Sequence, residues 1–188
     1  MDITVGHKPR LDIFLTHIVD TLRTHVRGVL IRNPEWEASL AGFQVESAWM
    51  VGAWDDVQHM VERIDSSNPS LVMARLLLAI RSEDFTRISE TLTNVRSVFG
   101  APITAAGVKG YRRSYEASLN LHLTYELELI HHVLKDLPAE SQARSKQDRR
   151  KALSDLSRTL SSRFESTLPA FRTREPVLSL RRISYMLS

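Results

Sequence analysis

The sequence predicts an all-α fold, a solenoid of stacked α-α hairpins. Three observations predict it. Apolar residues recur at steps of three and four through most of the 188 residues, and no segment alternates apolar and polar residues over strand length. Trp49 and Trp54 flank Gly52, with one apolar helical pattern running in and another leaving, as at the turn of a tightly packed helical hairpin. A shift of 31 residues lays a second hairpin on the first.

The elements follow in order. From about Pro9 to Leu30, Leu11, Leu15, Ile18, Leu22 and Val26 keep helical spacing, and Pro9 suits a first turn. Asn33-Pro34 interrupts the pattern, because a residue before proline avoids the helical region. A second helix runs from about Glu35 to Val51, with Trp36, Leu40, Phe43, Val45, Ala48 and Trp49 giving it a broad apolar surface, and Gly52 ends it. A third runs from about Trp54 to Ile64, with Asp55 and Asp56 in the first turn, where the helix dipole favours acids. Residues 65–69 read as a turn. The fourth helix, Pro69 to Arg81, is almost wholly apolar and belongs in the core. The fifth, about Asp84 to Phe99, carries Phe85, Ile88, Leu92, Val95 and Phe99.

Gly100 to Gly107 reads as a loop of small residues. The longest helix follows, about Val108 to Leu137, roughly 45 Å at the usual rise per residue. It has two apolar stripes, one through Tyr111, Tyr115, Leu119, Leu123, Leu127, Ile130 and Leu134, the other through Leu121, Tyr125, Leu129 and Val133. Two stripes suit an inner helix with neighbours on both sides. Residues 138–148 read as a flexible polar loop. A helix from about Asp148 to Leu168 and a last one from Arg174 to Leu187 complete the chain, with Thr173 as N-cap and Pro176 in the first turn.

The repeat aligns Leu40 with Leu71, Val45 with Leu76, Ala48 with Ala79, Trp54 with Phe85, Val57 with Ile88, Val61 with Leu92 and Ile64 with Val95. A period just above thirty with two helices per unit is close to the tetratricopeptide class. Small Ala48 and Ala79 would let helices approach, and the aromatic at 54 or 85 would fill the joint between hairpins. On that reading Trp54→Ala costs about 3–5 kcal/mol.

Composition narrows the function classes. The hydrophobic fraction of 43% and charged fraction of 25% are those of an ordinary globular chain. The net charge of +3 is too small to imply nucleic-acid binding. Zero cysteines exclude disulfides and thiolate metal sites. The residues from Met1 to Lys8 lack the apolar core of a signal peptide, and no apolar run approaches the ~20 residues that span a bilayer.

No motif carries chemistry. His131 and His132 are adjacent, so on a helix they diverge, and His122 is at no chelating distance from them. There is no His-Glu-x-x-His and no Gly-x-Ser-x-Gly. Glu126 and Glu128 read as solvated acids facing different ways. Gly107 to Gly110 has the form of a nucleic-acid-clamping loop but lacks the sheet that fold needs. Asp84-Phe85 is followed by Thr86, not glycine, and no His-Arg-Asp loop occurs. Catalytic, cofactor-binding and metal-binding residues are therefore none. Basic clusters at Lys109, Arg112 and Arg113, at Lys146, Arg149, Arg150 and Lys151, and at Arg172, Arg174, Arg181 and Arg182 read as solvated helix faces, with contact to an acidic partner or a DNA phosphate track as the alternative.

Three segments, in order, carry a family resemblance: Glu46 to Asp55 with the tryptophan pair; Tyr111 to Glu116 followed by Leu121-His122-Leu-Thr-Tyr-Glu126-Leu-Glu128; and Thr173-Arg-Glu-Pro176-Val-Leu-Ser-Leu-Arg181-Arg182. Together they resemble the FAT domain of phosphatidylinositol-3-kinase-related protein kinases, most of all the ATR branch in a fungal form. The likeness covers about residues 35–188 of what reads as one helical-repeat region, 1–188. It implies TPR-like and HEAT-like helices serving as a non-catalytic scaffold for a parent serine/threonine kinase of the nuclear DNA damage and replication checkpoint. It also implies as partners the parent's kinase domain, an ATRIP-type regulatory protein and a possible homodimer, with no membrane and no direct nucleic-acid contact. ATP and magnesium would belong to the kinase domain, whose loops are absent here, so the chain looks like a fragment or split-gene product. A free-standing TPR-like adaptor that binds a protein or peptide is the alternative.

Overall fold

The computed structural model describes residues 17–22, 24–30, 32–105, 110–137 and 143–187. Its helices are α1 (Arg27–Leu30), α2 (Pro34–Val51), α3 (Trp54–Arg63), α4 (Pro69–Arg81), α5 (Phe85–Ala105), α6 (Tyr111–Lys135), α7 (Ala143–Glu165) and α8 (Phe171–Leu187). Residues 17–22 and 24–25 are helical as well, and no strand occurs among the described residues. The all-α class and the hairpin construction are borne out. Contacts divide the chain into two compact units, Met1–Thr91 and Leu92–Ser188, with the boundary inside α5.

In the first unit α2 packs on α3 and α4, α3 also packs on α4, and α1 packs on α2. Nine residues of α4 are buried, because its apolar side chains leave no polar face. Ala38, Ala41, Val45, Ala48 and Trp49 of α2 and Val57 of α3 close around it. Two glycines set this geometry. Gly52 ends α2 at φ +81°, and its N–H donates to the carbonyls of Ala48 and Trp49, so the chain reverses within two residues. A Cβ on Gly42 would lie 2.7 Å from Oδ1 of Asn68. That oxygen caps α4 by accepting from the Ser70 N–H at 3.0 Å, so α2 and the start of α4 can touch only over a glycine. Arg75 holds the 64–68 turn from beneath, donating to the carbonyls of Ser66 at 2.8 Å and Ile64 at 2.9 Å.

The repeat keeps its helix starts and three of its seven aligned pairs as buried positions, while Leu40, Val61 and Ile64 are half-buried where Leu71, Leu92 and Val95 are buried. α3 opens at Trp54 and α5 at Phe85. Val45 and Leu76, Ala48 and Ala79, and Val57 and Ile88 are all buried. The expected aromatic joint is not. Trp54 is half-buried under the Arg81 guanidinium, 5.4 Å from its ring centroid, and Phe85 is 67% exposed. Asp84 explains the difference: its side chain caps α5 through the N–H groups of Thr86 and Arg87. That cap, not the ring of Phe85, fixes the start of the helix.

In the second unit α6 packs on both α7 and α8, as its two stripes suggested. Leu123, Leu127 and Ile130 of α6 meet a core that includes Leu156 and Leu160 of α7 and Val177, Leu180 and Ile183 of α8. The stripes are not uniformly buried: Tyr111, at the start of the first, is 76% exposed, and Tyr125, within the second, is 47% exposed.

Helix boundaries differ from the sequence reading at several points, and a turn at Val26 interrupts the expected first helix. Residues 100–105 are helical, not looped, and Pro102 lies inside α5. Buried Val95 and Phe99 anchor the preceding turns, and packing of that kind outweighs the roughly 3 kcal/mol a proline costs in a helix. The polar stretch from Ala143 to Gln147 is the start of α7, while 138–142 lie outside the described residues. α8 begins at Phe171, because the Ala170 carbonyl accepts from the N–H groups of Thr173 and Arg174. Thr173 is therefore a buried first-turn residue and not an N-cap, and Pro176 stands in the helix interior. The expected helical residues 9–16, together with Val108 and Lys109, fall outside the described residues.

Candidate functional site

The chemistry of the second unit gathers on one carboxylate. Glu126 follows Leu123 by three residues and precedes Ile130 by four, so it lies within the apolar stripe of α6. Helical geometry carries it into the core, where its side chain is 2% exposed. An isolated charge there would cost several kcal/mol, so it must be paired.

Arg181 of α8 supplies the pair. Its Nε donates to Oε2 at 2.7 Å and its guanidinium NH2 group to Oε1 at 2.9 Å, a fork-on-fork contact. The same NH2 group also donates to the Leu160 carbonyl at 2.7 Å, which ties in α7. Arg163 of α7 brings its Nε to 3.4 Å from Oε1 and sets its guanidinium over the Tyr125 ring at 4.5 Å. His122, one turn before Glu126, stands with Nε2 2.9 Å from Oε1, close but poorly aligned for donation. Burial and the nearby Arg163 push the imidazole below its ordinary pKa of 6.5, against the pull of Glu126, so it is neutral at neutral pH. Phe164 lies beneath two guanidinium groups, those of Arg174 at 4.6 Å and Arg181 at 5.5 Å. A last tie runs from the Leu168 N–H to the Tyr115 hydroxyl at 3.2 Å.

Chemically this arrangement clasps. Each oxygen of Glu126 accepts from the Arg181 guanidinium, so the carboxylate serves to join α6 to α8. No group of three or more His, Cys, Asp or Glu among the described residues is placed to hold a metal. His131 and His132 have ring centroids 6.4 Å apart, tilted by 59°.

The structure corrects the reading of two acids and one basic cluster. Glu126 is no solvated acid, and Glu128 is half-buried against Arg96. The cluster at 172–182 divides: Arg172 and Arg182 are exposed, while Arg174 and Arg181 turn inward. The missed signal was an acid inside an apolar stripe, with an arginine 55 residues later inside another. The side chains of Lys109, Arg112 and Arg113 lie outside the described residues.

The three sequence segments now have physical roles. The first is a packing joint: Trp49 is 4% exposed, and Gly52 makes the turn. The second and third meet, because Glu126 belongs to one and Arg181 to the other. The fold and this clasp define a helical packing module without a catalytic constellation among the described residues. The chain belongs to the FAT domain family, whose model matches residues 41–188.

It is similar to the serine/threonine-protein kinase ATR of Arabidopsis thaliana, 29% identical over 176 residues, which cover 88% of this chain and 6% of that protein. The proteins of the same name from Oryza sativa subsp. indica and subsp. japonica are 28% identical over 174 residues, 87% of this chain and 6% of theirs. The chain thus spans about 6% of the length of the curated relatives it matches. No solved structure matches it. No helix among the described residues is long and apolar enough to cross a membrane.

Proposed function

We propose that these residues are a non-catalytic scaffold segment of an ATR-like serine/threonine protein kinase acting in the DNA damage and replication checkpoint of the nucleus. One observation carries the scaffold role. The two segments most specific to the family converge on the Glu126–Arg181 clasp, which ties α6, α7 and α8 together. The segment acts mechanically: packed hairpins hold the parent's kinase domain and transmit the binding of an ATRIP-type regulator, and a second copy of the parent can pair with the first. ATP and magnesium act in the kinase domain.

The test is to tag the chromosomal locus, recover the native product and assay phosphorylation of serine and threonine peptides with ATP and magnesium. A product far larger than 21.4 kDa that phosphorylates them, and loses that activity on Arg181→Glu, is the expected result. A native product of 21.4 kDa with no associated kinase activity would overturn the proposal in favour of a free-standing adaptor.

A further inference from the structure

We propose that the first turns of α7 are a docking face for an acidic, leucine-bearing peptide segment of a partner protein. From Leu156 onward, the inner face of α7 packs in the core through Leu156 and Leu160. Helical spacing carries that same face back towards the N-terminus through Leu153, Arg149, Arg150 and Lys146. There it is no longer covered: Lys146 and Arg150 are exposed, Arg149 is half-buried and Leu153 is 39% exposed. A core-facing stripe therefore runs on as an open one, basic with an apolar centre.

Its sequence is basic. Residues 143–151 hold five cations and one acid, Asp148. The first turn has no acid, although a helix N-terminus favours one. Lys146 and Arg150 make no ion pair with a described residue, in contrast to Arg63, Arg96, Arg158, Arg163 and Arg181. Carboxylates laid here would meet both the cations and the positive end of the helix dipole.

The dimensions favour a peptide over a nucleic acid. The cations from Lys146 to Arg150 span about 6 Å of helix, too short to follow several phosphates. The sole aromatic residue of α7 is Phe164, half-buried under Arg174 and Arg181, so no base-stacking platform adjoins the patch. Leu153 instead offers contact to an aliphatic side chain between acids.

The full chain can be titrated at physiological ionic strength against a short fluorescein-labelled peptide of glutamates interspersed with leucines. Single-stranded and duplex DNA serve as competing probes. Saturable peptide binding is expected, weakened roughly tenfold or more by K146E/R150E, several-fold by Leu153→Ala, and unchanged by Arg172→Glu on α8. Of the two new acids the one at 146 lies in the first turn, where it favours the helix, and circular dichroism checks that the fold is kept. Absent or non-saturable peptide binding, equal binding by K146E/R150E, or tighter binding of either DNA would overturn the proposal.

Discussion

The two compact units hold their helices by different means. The unit Met1–Thr91 is packed mainly through apolar contacts: alanines and Gly42 let helices touch, and α4 is buried on nearly every side. The unit Leu92–Ser188 spends a buried carboxylate and a set of arginines on the same task. Their charges differ in sign as well. The first has 9 basic and 13 acidic residues, net −4; the second has 16 and 9, net +7, which together give the chain's +3. One fold class thus contains two kinds of glue. Dispersion and apolar burial fail gradually as methylenes are removed. A buried ion cluster fails abruptly when one partner goes, because the others remain charged in a poor solvent.

Variants of the full chain, followed by urea denaturation, test that contrast. Glu126→Ala should have the largest effect, about 3–5 kcal/mol, because Arg181 and Arg163 lose their counter-charge. Replacing the pair together, as E126L/R181M, should cost markedly less than E126A alone. If the double variant is the worse of the two, the clasp is not the ionic device described. In the first unit Leu77→Ala should cost about 2–5 kcal/mol, with a cavity as the cause. Gly42→Ala should cost about 1–3 kcal/mol by driving Asn68 off the Ser70 N–H, and a neutral result would show that the close approach yields freely.

The smallest effect is in pH. The folded pKa of His122 lies below its unfolded 6.5, so the unfolded chain binds the proton more readily. The stability that His122 contributes is complete above about pH 6.5 and declines as pH falls through that value towards the folded pKa. His122→Gln should flatten the slope between pH 7 and 5; an unchanged slope would assign it to other groups.

What the sequence disclosed follows from what periodicity encodes. α4 declared itself through unbroken apolar residues, and Gly52 through its position between two patterns. Trp54 and Phe85 show the limit. The repeat located both at helix starts, but burial depends on what lies across from a ring, which no single segment states. With Trp54 half-buried, Trp54→Ala should cost about half of the ~3–5 kcal/mol expected of a core aromatic. Glu126 was illegible for a related reason. Its spacing put it in the core, yet an acid is assigned to solvent unless its counter-charge is known, and that charge sits 55 residues away on another helix. The start of α7 was missed because a polar, cationic stretch looks like a loop when no apolar face is needed to hold it.

The fork of Arg181 has a consequence for how this chain can change through descent. Lysine, with one ammonium, cannot reach both oxygens of Glu126 and the Leu160 carbonyl together, so a lineage that keeps the acid must keep arginine. Loss of either leaves an intermediate less fit than both ends. Positions 126 and 181 should therefore be inherited as a couple, changing together or not at all, while the residues around them drift.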